Sequence, residues 1–265
     1  MSRLNWINPE DYSFDSMLLM ERFQINYMLS LDHPAYRKDM GIALKYNPTV
    51  AWYFRQRCPE QATTVLELLQ RAPDADPQTI YEAEKRLISG FEDFIIYTTP
   101  ERMDKCCDFI YGWDKQRLFE MADFRGKLVL DVGSGSGRLA FAAAEHAELV
   151  IASEPVDKLR EYMRDKIRLL NIRNMKVADG MCDDLPYPDN TFDIVMSGHV
   201  VGDDIEKELA ELTRVLKPGG WLLDCPGDQH CVTGHNRALV ERGWEEMAYV
   251  GTFRYKTYRY RKQKV

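Results

Sequence analysis

The stretch LVLDVGSGSGRLAFAAAEH, residues 128–146, constrains the fold more than any other part of the chain. An apolar run stops at Asp131, glycines follow at positions 133, 135 and 137, and helix-forming sequence begins at once. A strand that ends in a glycine turn and feeds a helix is the opening unit of a parallel α/β sheet, and the helix start on such a turn is a ligand site. Two ligands compete for it. The substring GSGRLA satisfies G-x-G-x-x-A, and Glu154 follows roughly twenty residues on, as a dinucleotide site requires. Asp131 argues the other way. An acid directly before the glycines repels a pyrophosphate and suits a ligand that carries positive charge, such as an amino-acid ammonium group.

The rest of the chain divides near residue 125. Before that point helical patterns dominate. Ile80, Ala83, Leu87, Phe91 and Phe94 recur at three- and four-residue steps and predict one long helix over 79–96. Thr99 followed by Pro100 reads as the start of another helix, and a shorter one is expected around 63–71. After residue 125, strand and helix alternate. KLVLDV, ELVIASE, MKVAD, FDIVMSG and WLLDCP are short apolar runs, separated by amphipathic stretches over 157–171 and 204–217. The tail WEEMAYVGTFRYKTYRYRKQ reads as two strands turning near Gly251, an antiparallel hairpin at the sheet edge.

The expected fold is therefore α/β: a Rossmann-like, doubly wound, seven-stranded and mostly parallel sheet with an antiparallel C-terminal hairpin, preceded by an N-terminal helical cap. The boundary is set at 1–120 for the cap and 121–265 for the sheet domain. A net charge of −7 disfavours a nucleic-acid partner, which usually needs a basic face. The six cysteines include no C-x-x-C pair, so no metal centre is expected. The first residues lack a basic region followed by a long apolar run, and no apolar stretch reaches bilayer length. A cytoplasmic chain without membrane attachment is the resulting expectation.

The segments LDVGSGSGRLA, VIASEP, DDLPYPDNTFDIVMSGHV and ELTRVLKPGGWLLDCP resemble, in order and spacing, four motifs of the class I S-adenosylmethionine (SAM) dependent methyltransferases. The resemblance covers about residues 110–260. It implies that SAM binds at the turn and leaves as S-adenosylhomocysteine. Gly133, Gly135 and Gly137, with Ser134, would let the backbone approach the methionyl part closely. Asp131 would attract the cofactor's amino group, and Glu154, next to Pro155, would accept the ribose hydroxyls. The family's acidic residue at the adenine is replaced here by Met181-Cys182. Met181 is expected to pack on the ring, backbone near Gly180 and Cys182 to reach its nitrogens, and Asp183 or Asp179 to supply a carboxylate. Ser197 and Tyr111 are further cofactor candidates, and Tyr97 and Trp113 lie close before the first strand.

Methyl transfer from a sulfonium is an in-line displacement that needs alignment and, for a protic acceptor, removal of a proton. Catalytic side chains sit on loops at the carboxyl ends of the strands. That places His199, Asp228 and His230 on the acceptor side, with His199 as the candidate general base. A cap rich in Tyr27, Tyr36, Tyr46, Trp52 and Tyr53 can enclose a small acceptor or simply form its own core. Acceptor identity and oligomeric state have no signature in the chain. A non-catalytic SAM-fold protein and an NAD-dependent oxidoreductase are the alternatives.

Overall fold

A computed structural model of the chain describes residues 6–228 and 235–265. The chain forms two compact units that divide between Thr99 and Pro100, earlier than the boundary near 120 that the sequence pattern suggested. Residues 100–120, read from sequence as part of the cap, belong to the sheet unit.

The first unit is helical. It contains α1 (Arg22–Ser30), α2 (Pro34–Tyr46), α3 (Pro48–Arg57), α4 (Ala62–Arg71), α5 (Pro77–Gly90) and the short α6 (Glu92–Ile95). Proline opens α2, α3 and α5 at a position where a missing N–H costs nothing, and Asp76 caps α5 by accepting the Thr79 N–H at 2.8 Å. The single helix expected over 79–96 is broken. Gly90 ends α5, Phe91 leaves helical geometry at φ −116°, and α6 restarts at Glu92. Glycine weakens the helix at that point, and the phenyl ring of Phe91 is buried between Tyr36 and Phe94. Several of the expected cap aromatics serve this unit's own packing. Tyr36 and Tyr53 donate hydrogen bonds to the carbonyls of Met28 and Met20, and the Tyr46 hydroxyl accepts the Ala75 N–H. Tyr27 packs edge-on against Phe94, while Trp52 is more than half exposed.

The second unit opens with short helices α7 (Pro100–Cys106), α8 (Asp108–Tyr111) and α9 (Gln116–Phe119). Alternation then follows: β1 (Leu128–Val132), α10 (Arg138–Ala143), β2 (Leu149–Ser153), α11 (Asp157–Leu169), β3 (Met175–Ala178), β4 (Phe192–Ser197), α12 (Ile205–Val215) and β5 (Leu216–Asp224). The chain ends with α13 (Arg237–Glu241), β6 (Glu245–Val250) and β7 (Lys256–Gln263). The seven strands order β3-β2-β1-β4-β5-β7-β6. β1 to β5 pair in parallel, and β7 pairs antiparallel with both β5 and β6. The doubly wound sheet with its C-terminal hairpin matches the expected architecture.

Alternation along the strands sends side chains to two cores. Val129, Ile194, Met196 and Leu223 face one core with Leu139, Ala140 and Ala143 of α10; Leu130, Val132, Val195 and Leu222 face another with Leu212 and Val215 of α12. The strand ends align in one row: Ala178, Ser153, Val132, Ser197, Asp224 and Tyr260 are successive register partners. The order of connections reverses between β1 and β4. That is the crevice where open α/β sheets bind their ligands. No helix among the described residues is long and apolar enough to cross a membrane.

Candidate functional site

The glycine turn leaves β1 directly above this crevice. Gly133, Gly135 and Gly137 all take left-handed conformations, with φ of +62°, +58° and +94°. Side-chain-bearing residues resist that region. A methyl group on Gly133 would also lie 2.4 Å from Val200 Cγ2, so turn and β4 loop approach each other closely. Ser134 fastens the turn to β2: its N–H donates to the Ser153 carbonyl at 3.1 Å and its hydroxyl to the Asp131 carbonyl at 2.9 Å. Met103 of α7 covers the turn from outside, with its methyl carbon 3.3 Å from where a Gly135 Cβ would stand.

Two acids frame the turn. Asp131 is 1 % exposed, and its Oδ2 is buried without a hydrogen-bond partner. Burial pushes its pKa up to about 7. A carboxylate oxygen held out of water with no donor invites one from a ligand. Glu154 is also buried, and both of its oxygens are engaged: Oε2 accepts the Gly135 N–H at 2.8 Å and Oε1 the Val156 N–H at 2.9 Å. Burial raises this acid to about 7 as well, against the opposing pull of those two N–H groups. Each oxygen retains a second lone pair for a ligand hydroxyl. Ser136 Oγ and Ser153 Oγ are further buried polar atoms without partners near the same strand ends. The groups present fit SAM: an acid oxygen without a partner for an ammonium, the two oxygens of Glu154 for a diol, and bare backbone between them.

Beyond β3 the residues expected at the adenine form a tight turn. Met181 pairs with Asp184 in an isolated bridge and leaves its side chain more than a third exposed. Cys182 is half-buried, and burial with the surrounding acids pushes its thiol up to about 12, so it stays protonated. Gly180 packs on Ser153: a Cβ there would meet its hydroxyl at 2.4 Å. The two carboxylates considered for adenine are both in ion pairs, Asp183 with Lys207 at 2.7 Å and Asp179 with Arg160 at 3.0 Å. Arg160 also donates to the Pro155 carbonyl at 2.7 Å, which fixes the chain just after Glu154. Tyr111 is half exposed and sits edge-on to Phe253, 5.6 Å between ring centres. Trp113 lies under the Arg138 guanidinium at 4.5 Å. Tyr97 belongs to the first unit.

The acceptor-side candidates separate. His199 stands in a left-handed conformation, φ +66°, and its ring packs on Phe109 at 4.7 Å. Solvent reaches part of the ring, yet the protein crowded around it and the Arg138 charge draw its pKa down to about 4. It is therefore neutral at pH 7 and a weak base. Asp228 has both oxygens engaged by other parts of the chain. It is 2 % exposed, and its oxygens accept the Tyr249 hydroxyl at 2.7 Å and the Thr252 N–H at 2.6 Å. This buried acid ties the loop after β5 to the β6–β7 turn, a positioning role that its place in the sequence did not reveal. His230 lies outside the described residues.

Two residues that the sequence reading passed over stand out. Arg138, first residue of α10, donates to the carbonyls of Cys225 and Pro226 at 2.6 and 3.2 Å and so links the glycine turn to the end of β5. Asp224 is the last residue of β5, as Asp131 is the last but one of β1. It is 6 % exposed, and the Ser197 hydroxyl lies 3.4 Å from its Oδ1. An acid ending an apolar strand in WLLDCP was the signal for it.

A methyltransferase domain model matches residues 130–224, the span from β1 to the end of β5. Among similar proteins is the ubiquinone/menaquinone biosynthesis C-methyltransferase UbiE of Francisella tularensis subsp. novicida, 28% identical, matching 55% of this chain and 61% of its own. The demethylmenaquinone methyltransferase of Listeria welshimeri is 30% identical over 56% of this chain and 64% of its own. The chain thus spans less than two thirds of these relatives' length. A solved SAM-dependent methyltransferase of Aquifex aeolicus superposes with a TM-score of 0.51 at 21% identity, covering 63% of this chain and 98% of the other, which establishes likeness of fold. The turn, the two acids that frame it and the domain match agree: residues 130–224 of this chain are similar to a methyltransferase domain, and the α/β unit has the fold of a solved SAM-dependent methyltransferase.

Proposed function

We propose that this chain transfers a methyl group from SAM to a small-molecule acceptor by in-line displacement. The observation that carries the reading is the buried, unpartnered Oδ2 of Asp131 at the foot of three left-handed glycines. A buried acid with one oxygen left without a partner is costly unless a cationic ligand answers it. SAM brings a sulfonium methyl with high transfer reactivity. The chain's own part is to hold the ligand between Asp131 and Glu154, to bring backbone rather than side chains against it at the turn, and to shape the acceptor space around the end of β4. His199, as a neutral imidazole beside Phe109, lines that space and orients the acceptor by accepting a hydrogen bond. The names of the relatives, a demethylmenaquinone methyltransferase and a ubiquinone/menaquinone biosynthesis C-methyltransferase, support a small acceptor.

The test is incubation of the purified protein with methyl-labelled SAM and a small-molecule cell extract. A labelled low-mass product that requires Asp131 supports the proposal. Label transferred only to protein or nucleic acid, or none at all while SAM binds, contradicts it.

A further inference from the structure

The strand-end row places a second buried acid on the other flank of the glycine turn. Glu154 follows Ser153 at one side of Val132, and Asp224 stands two strands away at the other, with Ser197 between them. At the usual strand spacing, Val132 and Asp224 are about 10 Å apart across the mouth of the crevice. Register partners on parallel strands share a face, so Ser197 and Asp224 lie side by side, and the Ser197 hydroxyl is the hydrogen-bond partner of Asp224 among the described residues. One long bond from a neutral hydroxyl, with the Arg138 charge nearby, compensates the buried carboxylate only in part. Asp224 serves no evident packing purpose there: its strand neighbour Leu222 and its register partner Tyr260 are ordinary core residues. The other acceptor-side groups are weaker candidates for proton transfer, since Asp228 is engaged by Tyr249 and Thr252 and His199 is a poor base.

We propose that Asp224 receives the proton of the methyl acceptor, whose nucleophile is therefore a group that gives up a proton on methylation, such as a hydroxyl or an amine. The assignment rests on the methyltransferase reading of the site. In the transfer, the acceptor's heteroatom forms the new bond to the methyl carbon, and the carbon–sulfur pair goes to sulfur. The heteroatom's proton passes to a carboxylate oxygen of Asp224. Burial holds Asp224 at about 7, close to the working range of a base at neutral pH. The groups that face it are Ser197 from β4, Arg138 from α10, Tyr260 from β7, and the thiols of Cys182 and Cys225. Arg138 and Ser197 favour its ionised form; both thiols stay protonated.

The test needs no known acceptor. Sinefungin, the SAM analogue in which a carbon bearing a protonated amine replaces the sulfur and its methyl, puts a cation at the position of the transferred methyl, with its N–H groups toward the acceptor space. Calorimetric affinities of sinefungin and S-adenosylhomocysteine are compared at pH 8 for the wild type and Asp224→Asn. The wild type should prefer sinefungin by about tenfold or more, and Asp224→Asn should lose that preference while keeping its S-adenosylhomocysteine affinity. Should Asp224→Asn fail to fold, Ser197→Ala serves instead. It removes a donor to the carboxylate, so the pH at which sinefungin preference appears should move upward. An unchanged preference in Asp224→Asn, or an unmoved pH midpoint in Ser197→Ala, overturns the assignment. Failure of the wild type to bind S-adenosylhomocysteine overturns the methyltransferase reading itself.

Discussion

Glu154 and Gly135 are joined by a 2.8 Å hydrogen bond from the Gly135 N–H to Oε2, so the acid after β2 holds the glycine turn in shape. The proposed function gives the same carboxylate a second job, toward a ligand diol, besides the one toward its own backbone. Glu154→Gln separates it from a simple loss of charge. The amide must point an NH2 group at one of two backbone donors, Gly135 or Val156. S-adenosylhomocysteine affinity should fall by about 1–3 kcal/mol, the cost of mismatched buried hydrogen bonds. Calorimetry reads this directly, and an unchanged affinity refutes the assignment of Glu154 to the cofactor.

Gly133 and Gly126 provide a matched pair. Both are left-handed, at φ +62° and +65°, but a Cβ on Gly133 meets Val200 at 2.4 Å, whereas one on Gly126 meets nothing within 4 Å. Gly126→Ala should lose only the conformational preference, about 1 kcal/mol, and Gly133→Ala a further 1 kcal/mol or so for overpacking. Urea denaturation of the two variants measures the difference. Equal losses would show that the β4 loop yields freely at the turn.

Asp228 was legible in the sequence as an acid on the right loop, but its work was not. Whether a carboxylate faces a substrate or another loop depends on contacts far along the chain, here with Tyr249 and Thr252. Asp228→Ala should destabilise the protein by about 1–3 kcal/mol with little change in S-adenosylhomocysteine affinity. Tyr249→Phe in that background should add little, since the partner is already gone. Intact stability with abolished methyl transfer would return Asp228 to the catalytic group.

The pH dependence of stability follows from the buried acids. Asp131, Glu154 and Asp224 each have folded pKa values raised to about 7, well above an unfolded carboxyl near 4. The folded state binds these protons more tightly. Their contribution is therefore fully present below about pH 4 and is lost as pH rises through 7. In urea titrations from pH 5 to 8, Asp131→Asn should show a shallower decline than the wild type. A cationic cofactor favours the ionised acids, so SAM affinity should rise over the same interval with release of protons. Parallel stability curves for the two proteins would contradict the Asp131 assignment.

The glycine turn, the strand alternation and the C-terminal hairpin were legible because each is written locally: φ-permissive glycines, short apolar runs, a turn at Gly251. The break at Phe91 was not, since apolar spacing continues through it while Gly90 and the ring's packing end the helix. Arg138 and Asp224 escaped notice for a related reason. Arg138 becomes informative only when α10 and β5 are brought side by side, whereas Asp224 carried a local mark, an acid ending the apolar run WLLDCP, whose buried surroundings only the pairing of β4 with β5 reveals.

The central claim is that the turn from Asp131 to Gly137, with Glu154, holds SAM. Calorimetric titration of the wild type and Asp131→Ala with S-adenosylhomocysteine and with NAD tests it most directly. The account predicts one-to-one binding of S-adenosylhomocysteine to the wild type, strong loss of it in Asp131→Ala, and no heat with NAD. Binding of NAD without S-adenosylhomocysteine, or full affinity in Asp131→Ala, would contradict it.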